Sequence, residues 1–305
     1  MIDSDARLIE KILRLKRERN AIILAHNYQL GEVQDIGDFV GDSLELSQRA
    51  AQTDADVIVF CGVLFMAETA SILCPDKVVL LPDMDAGCPM ADMITADALR
   101  EMKKEHPGAV VVCYVNSSAE VKAESDVSCT SANAVRIVEK LPSGMEILFV
   151  PDQYLGHYVS TKTGREMILW PGYCPTHIRI TAQDIIRLRE EYPQAKVTVH
   201  PECRPEVTAL ADEVLSTGGM CRFASSTEAK EVIIGTEIGL IHRLRKENPG
   251  KRFIPASDQA VCPRMKLITL EKILWALEEM TPVIKVPEEI RLRAKASVDK
   301  MLEAA

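Results

Sequence analysis

No stretch of the 305-residue chain approaches the roughly 18 consecutive apolar residues that a membrane span requires. There is no dense basic run either. The formal net charge is −9, from 36 basic against 45 acidic residues, which disfavours nucleic acid as a partner. It does not disfavour a small anionic substrate, because a pocket's local field need not follow the net charge. The start, Met1-Ile2-Asp3-Ser4-Asp5, lacks the basic stretch and apolar run of a secretory signal, so a cytoplasmic protein is expected. Linkers and low-complexity segments are absent as well. No two of the nine cysteines stand in C-x-x-C spacing, which leaves out the commonest structural zinc motifs. Disulfides are rare in the cytosol, so most of these cysteines should be inert core residues and a few could be ligands.

What is present is the composition of a globular protein, 47% apolar and 27% charged, long enough for two or three modest domains. It is also a repeat. Apart from Cys74, three cysteines are followed by proline: Cys88, Cys174 and Cys262, 86 and 88 residues apart. Seven residues after each comes a threonine, Thr95, Thr181 or Thr269, suited to cap the helical pattern that follows. Proline closes each helix, at Pro107, Pro193 and Pro282. β-branched runs at Ala21–His26, Val110–Tyr114 and Lys196–His200 read as buried parallel strands, each ending in a polar residue. From His26, Tyr114 and His200 the copies keep step. Glu-Val pairs follow at offsets six and seven, and a hydroxyl (Ser43, Ser131, Thr217) at offset seventeen. The Cys-Pro pair comes at offset 62, 60 and 62.

Two further strand-like runs precede each cysteine: 57–60 and 78–81, 147–150 and 167–170, and 232–234 and 252–254. Strands alternating with helices imply parallel sheets with helices on both faces. The expected fold is therefore α/β, three three-layer αβα units with short parallel sheets about a pseudo-threefold axis. Approximate units are 1–107, 108–195 and 196–305, the last closing with a charged helix after Pro287.

Ligands in parallel α/β sheets bind at the C-terminal ends of strands. Threefold-related units would bring three cysteines to one point, with His26, Tyr114 and His200 around it. Three thiolates suit a [4Fe–4S] cluster with one iron open as a Lewis acid better than a four-ligand zinc site. Packed core thiols are the alternative, but a following proline favours a fixed loop over a core strand. Cys61 and Cys113 read as core. Cys74, Cys129, Cys203 and Cys221 have no repeat partner, although Cys129 and Cys203 are candidates for the pocket wall.

The segments Ala25-His-Asn-Tyr28, Gly41-Asp-Ser43, Ala86-Gly-Cys-Pro-Met-Ala-Asp92, Tyr114-Val-Asn116, Cys129-Thr-Ser131, Gly172-Tyr-Cys-Pro-Thr-His177, His200-Pro-Glu202 and Ser216-Thr-Gly-Gly-Met220 resemble those of the quinolinate synthase family. The resemblance runs from about residue 21 to about residue 282. It implies a three-domain fold around a [4Fe–4S] cluster on Cys88, Cys174 and Cys262. It also implies condensation of iminoaspartate with dihydroxyacetone phosphate to quinolinate, a precursor of NAD, with loss of phosphate and water. L-aspartate oxidase or aspartate dehydrogenase would supply the iminoaspartate. Some members carry C-x-x-C-x-x-C at the third ligand. Here it is Cys262-Pro-Arg-Met-Lys266, so a thiol–disulfide switch there is not expected.

Within that frame Tyr28, His200 and Glu202 are the expected acid–base residues, with Glu202 two residues beyond His200 on an extended segment. His26, Ser43, Tyr114, Asn116, Ser131, His177 and Thr217 are the expected substrate contacts. The three hydroxyl residues are placed at helix N-termini, where anions bind and where ordinary capping is the alternative role. Met265 is expected to pack against the cluster. Competing readings are a three-cysteine diphosphate reductase, a diphthamide-forming radical enzyme, and an iron–sulfur sensor or carrier without catalysis.

Overall fold

The computed structural model describes residues 2–304, and side chains from residue 6; the polar start Met1–Asp5 lies outside the described side chains. The chain runs α1 (Ile2–Glu18), β1 (Ala21–His26), α2 (Gly31–Ile36), β2 (Phe39–Gly41), α3 (Ser43–Gln52), β3 (Val57–Cys61), α4 (Leu64–Leu73) and β4 (Val78–Leu80). The order then recurs as α5 (Ala96–Glu105), β5 (Val110–Tyr114), α6 (Ala119–Ala123), β6 (Val127–Cys129), α7 (Ala134–Lys140), β7 (Ile147–Val150), α8 (Gln153–Thr163) and β8 (Ile168–Leu169). It recurs again as α9 (Ala182–Glu191), β9 (Lys196–Val199), α10 (Pro205–Thr208), β10 (Glu213–Val214), α11 (Thr217–Ser226), β11 (Glu231–Gly235), α12 (Leu240–Glu247) and β12 (Arg252–Pro255). Helices α13 (Leu270–Glu279) and α14 (Glu288–Glu303) end the chain.

The strands form three parallel four-stranded sheets of one topology: β2-β1-β3-β4, β6-β5-β7-β8 and β10-β9-β11-β12. The fold is thus α/β, three like sheets flanked by helices. Central strands β3 and β7 are buried along their whole length, as expected of parallel strands covered on both faces. Thr95, Thr181 and Thr269 cap α5, α9 and α13, each hydroxyl accepting a backbone N–H of the first turn.

Each sheet has a fourth strand, β2, β6 or β10, that patterning does not reveal because it is only two or three residues long. One device places all three. Asp38, Asp126 and Asp212 stand immediately before these strands, at offset twelve from His26, Tyr114 and His200. Each carboxylate accepts from the N–H of Ile23, Val111 or Val197 at 2.8 Å. Each aspartate's own N–H returns a bond to the same residue's carbonyl.

The last two helices pack away from the third sheet. Helix α13 lies against α1 and β3, and α14 against α6, β6 and α4. Between them, residues 282–284 run antiparallel beside β4. Ile12, Phe60, Val112, Phe149, Ile273 and Met301 accordingly share one apolar core spanning the first two sheets. The third sheet has separate clusters on its two faces. No helix among the described residues is long and apolar enough to cross a membrane.

Candidate active site

The strand ends of all three sheets open on one cavity. Its wall holds Cys88, Cys174 and Cys262 together with His26, Tyr28, Ser43, Tyr114, Asn116, Ser131, His177, His200, Glu202 and Thr217. The structure therefore brings the three expected ligands and every expected acid–base and substrate-contact residue to one place. Among the described residues, no lysine or arginine lines it. Donors to an anion here are neutral groups: hydroxyls, imidazoles and helix N-termini.

The three cysteine loops are built alike. The N–H of Leu64, Gln153 or Ile238, just past the middle strand, donates to the carbonyl two residues before the cysteine: Ala86 at 2.8 Å, Gly172 at 2.9 Å and Ala260 at 3.0 Å. The loops then turn back so that two backbone N–H groups approach each sulfur, from the second and third residues onward. The donors are Met90 and Ala91 for Cys88, Thr176 and His177 for Cys174, and Arg264 and Met265 for Cys262. Burial pushes the Cys88 thiol up to about 12 and raises Cys174 and Cys262 as well, while these N–H donors work in the opposite sense. Desolvated sulfurs with paired N–H donors are suited to thiolates whose charge a metal group compensates, and the residues present fit a three-thiolate cluster.

The two histidines follow equivalent turns. The Tyr28 N–H reaches His26 Nδ1 at 3.2 Å, and the Glu202 N–H reaches His200 Nδ1 at 3.4 Å. Residues 200–203 therefore form a turn, closed by the Cys203 N–H on the His200 carbonyl, and not the extended segment expected. Burial is the main cause that lowers both imidazoles to about 3, so both rings are neutral. With Nδ1 accepting, the proton sits on Nε2, and His200 Nε2 lies 3.2 Å from the Ser131 hydroxyl.

Ser43 and Thr217 are the first residues of α3 and α11, but they are not the caps. Asp42 and Ser216 cap these helices, leaving the hydroxyls of Ser43 and Thr217 at the helix ends on the cavity. Thr217 accepts from Asn27, which Arg243 holds from behind. Ser131 lies two residues ahead of Asn133, the residue just before α7.

Glu202 is the centre of the polar network and is 3% exposed. Oε1 accepts from the Tyr114 hydroxyl at 2.5 Å, with the Asn116 amide at 3.4 Å. Oε2 lies 2.7 Å from His177 Nδ1. Burial alone would raise this carboxyl, but His177 and the Tyr114 bond outweigh it and hold Glu202 low, hence ionised. Burial, then the charge of Glu202, raises the Tyr28 and Tyr114 phenols well above 10, so both are donors. On its other edge His177 Nε2 meets Thr236 Oγ1 at 2.8 Å, and the Tyr28 hydroxyl meets the same oxygen at 2.5 Å. A continuous path thus runs Tyr28–Thr236–His177–Glu202–Tyr114, drawing on all three sheets.

Cys174, His177 and Glu202 also form a group whose ligand atoms lie within 4.8 Å of one another, as a metal site requires. The 2.7 Å from Nδ1 to the carboxylate is a hydrogen-bond length. Two ligands held at about 2.0–2.2 Å in a tetrahedral site stand farther apart.

Thr236 and Glu237, which touch or line the site, are not apparent from patterning. They stand directly after the middle strand β11, so strand-end reasoning extended beyond the first strand would have reached them. Cys129 and Cys203, considered for the wall, are buried in the core and do not line the cavity. Met265 does line it, with its sulfur 3.5 Å from the Gln29 amide.

Three like α/β sheets closing on one desolvated cavity, with an ionised carboxylate, paired donors and three N–H-solvated sulfurs, define an enzyme. The chain matches the family described as Quinolinate synthetase A protein over residues 10–303. It is 65% identical over 292 residues to a protein named quinolinate synthase from Dehalococcoides mccartyi (strain CBDB1), covering 96% of each. It is 59% identical over 292 residues to one from Geotalea uraniireducens (strain Rf4), again covering 96% of each. Over 297 residues it is 56% identical to one from Methanosarcina barkeri (strain Fusaro / DSM 804), covering 97% of each. The chain belongs to the quinolinate synthase A family.

Proposed function

We propose that the chain condenses iminoaspartate with dihydroxyacetone phosphate to quinolinate, releasing phosphate and water, as a cytoplasmic step of NAD biosynthesis. In this reading Cys88, Cys174 and Cys262 hold a [4Fe–4S] cluster. When bound, it supplies an open iron that acts as a Lewis acid toward a substrate oxygen. The observation that carries the reading is the convergence of three similarly built cysteine loops on the cavity that holds the Glu202 network.

The remaining work falls to the chain's own groups. Substrate carboxylates and phosphate meet the Nε2–H of His26 and His200, the hydroxyls of Ser43, Ser131 and Thr217, and the N-termini of α3 and α11. Asn116 leaves its side-chain oxygen buried and without a partner, suited to accept from the substrate's nitrogen. Glu202, ionised and exposed to no bulk water, takes a proton from carbon or nitrogen during ring closure. Tyr28 delivers a proton to a departing oxygen and is reprotonated through Thr236 and His177. Enclosure protects reactive imine and enol groups from water.

The test is an anaerobic assay of iron-loaded protein with both substrates, followed by detection of quinolinate. Absence of product from a sample holding about four iron per chain would refute the activity. Iron retained after Cys174→Ser would refute the ligand assignment.

A further inference from the structure

Equivalent positions in the three units can be read from strand register. Ala25 pairs with Cys61, Cys113 with Val150, and Val199 with Gly235. Two residues beyond each middle strand therefore stand Val63, Asp152 and Glu237. Asp152 accepts from the N–H of Tyr154 two residues on, beginning α8. Glu237 does the same with the Gly239 N–H, at 2.7 Å. It is one methylene longer, and its other oxygen reaches across to the N–H of Cys262 at 3.1 Å. No hydrogen bond from the N–H of Cys88 or Cys174 occurs among the described residues.

Glu237 is fully buried and is paired with Lys266 at 2.9 Å. Lys266 Nζ also donates to the Tyr28 carbonyl. A Cβ at position 239 would lie 2.8 Å from Glu237 Oε2, Lys266 Nζ and the Tyr28 oxygen alike, so only glycine leaves room for the junction. One ion pair thus joins the third cysteine loop, the start of α12 and the loop that carries Tyr28.

We infer that Glu237, held by Lys266, is a positioning residue for Cys262. It fixes the backbone of the third ligand and couples that loop to Tyr28. The inference rests on the cluster reading for its consequence, but its geometry stands apart from it. Desolvated groups that orient a metal ligand commonly change metal affinity by about 10–100-fold.

The test uses the full chain and Glu237→Asp. That variant keeps the charge, the Gly239 bond and the contact of that bond's oxygen with Lys266, and withdraws the oxygen that reaches Cys262. In reconstituted protein under anaerobic chelator challenge, iron loss is expected to be about tenfold faster than in wild type. The cluster-free melting temperature should stay near the wild-type value, which a purely structural role would lower. In cluster-free protein, alkylation of Cys262 should accelerate, with Cys88 and Cys174 unchanged. Lys266→Met, which removes the partner that aims Glu237, should shift both readouts the same way and serves if Glu237→Asp folds poorly. Wild-type iron loss and wild-type Cys262 alkylation in both variants would overturn the inference. A wild-type protein that holds no iron would instead remove the cluster reading, and the alkylation readout would still decide the role of Glu237.

Discussion

The Tyr114 hydroxyl lies 2.5 Å from Glu202 Oε1 and links the last residue of β5 in the second sheet to the turn after β9 in the third. His177 approaches the other oxygen from the opposite side, so Glu202 is an acceptor on both faces. A carboxamide cannot serve in this way, since one of its two ends is a donor. Glu202→Gln should therefore lower kcat by roughly 10²–10⁴-fold, the usual worth of a positioned proton-transfer group. Tyr114→Phe, which leaves the carboxylate ionised, should cost less. Anaerobic turnover compared with far-UV circular dichroism checks this, and full activity of Glu202→Gln would remove the residue from proton transfer.

Thr236 connects the Tyr28 phenol to His177 through one oxygen. Thr236→Val keeps the shape and leaves only the long 3.4 Å contact of Tyr28 with His177 Nε2, so kcat should fall by about 10²-fold while KM changes little. Thr236→Ser restores the hydroxyl and should recover most of the rate. Steady-state kinetics on the two variants settle the point; equal loss in both would mean that the residue acts through packing alone.

His26 and His200, lowered to about 3 from 6.5, shape the acid stability of the cluster-free protein. Below about pH 6.5 the unfolded chain binds protons that the folded rings refuse. Stability from this source is complete above that pH and falls as pH drops toward 3. The loss is on the order of 3 kcal/mol per ring by pH 4. Glu202, also held low, adds a loss of the same sign as pH falls below the ordinary carboxylate range. Melting temperatures from pH 7 to pH 4 should decline steeply, and His200→Asn should flatten the slope. A flat wild-type profile would contradict neutral buried rings.

Asp126 accepts the Val111 N–H at 2.8 Å and returns its own N–H to the same residue. Asp126→Ala leaves that donor in β5 without its partner and should destabilise the protein by about 1–3 kcal/mol. Denaturant unfolding measures it. Asp126→Asn, whose side-chain oxygen can still accept, should cost less.

Much of this was legible because the chain repeats. Counting from His26, Tyr114 and His200 isolates the hydroxyls and the three cysteines without any coordinates. The same count passes over Asp38, Asp126 and Asp212 at offset twelve, whose role becomes visible only when the strand N–H groups they accept from are seen. The edge strands escaped because two or three residues carry no alternation to detect. Thr236 and Glu237 escaped for another reason: neither type recurs through all three units, which hold Gly62 and Pro151 at the first position and Val63 and Asp152 at the second. Helices α13 and α14 were recognisable as helices, but their faces could not say which sheet they would cover.

By itself the sequence determined the α/β units, their threefold order and the three cysteines that face one point, because local periodicity and a fixed loop length act within each copy. The tertiary structure alone decided what differs between copies. Whether a strand-end residue becomes the ionised Glu202, the relay Thr236 or the anchor Glu237 depends on donors brought from other sheets and on the desolvation they share. Those are properties of the closed cavity and not of any segment that lines it.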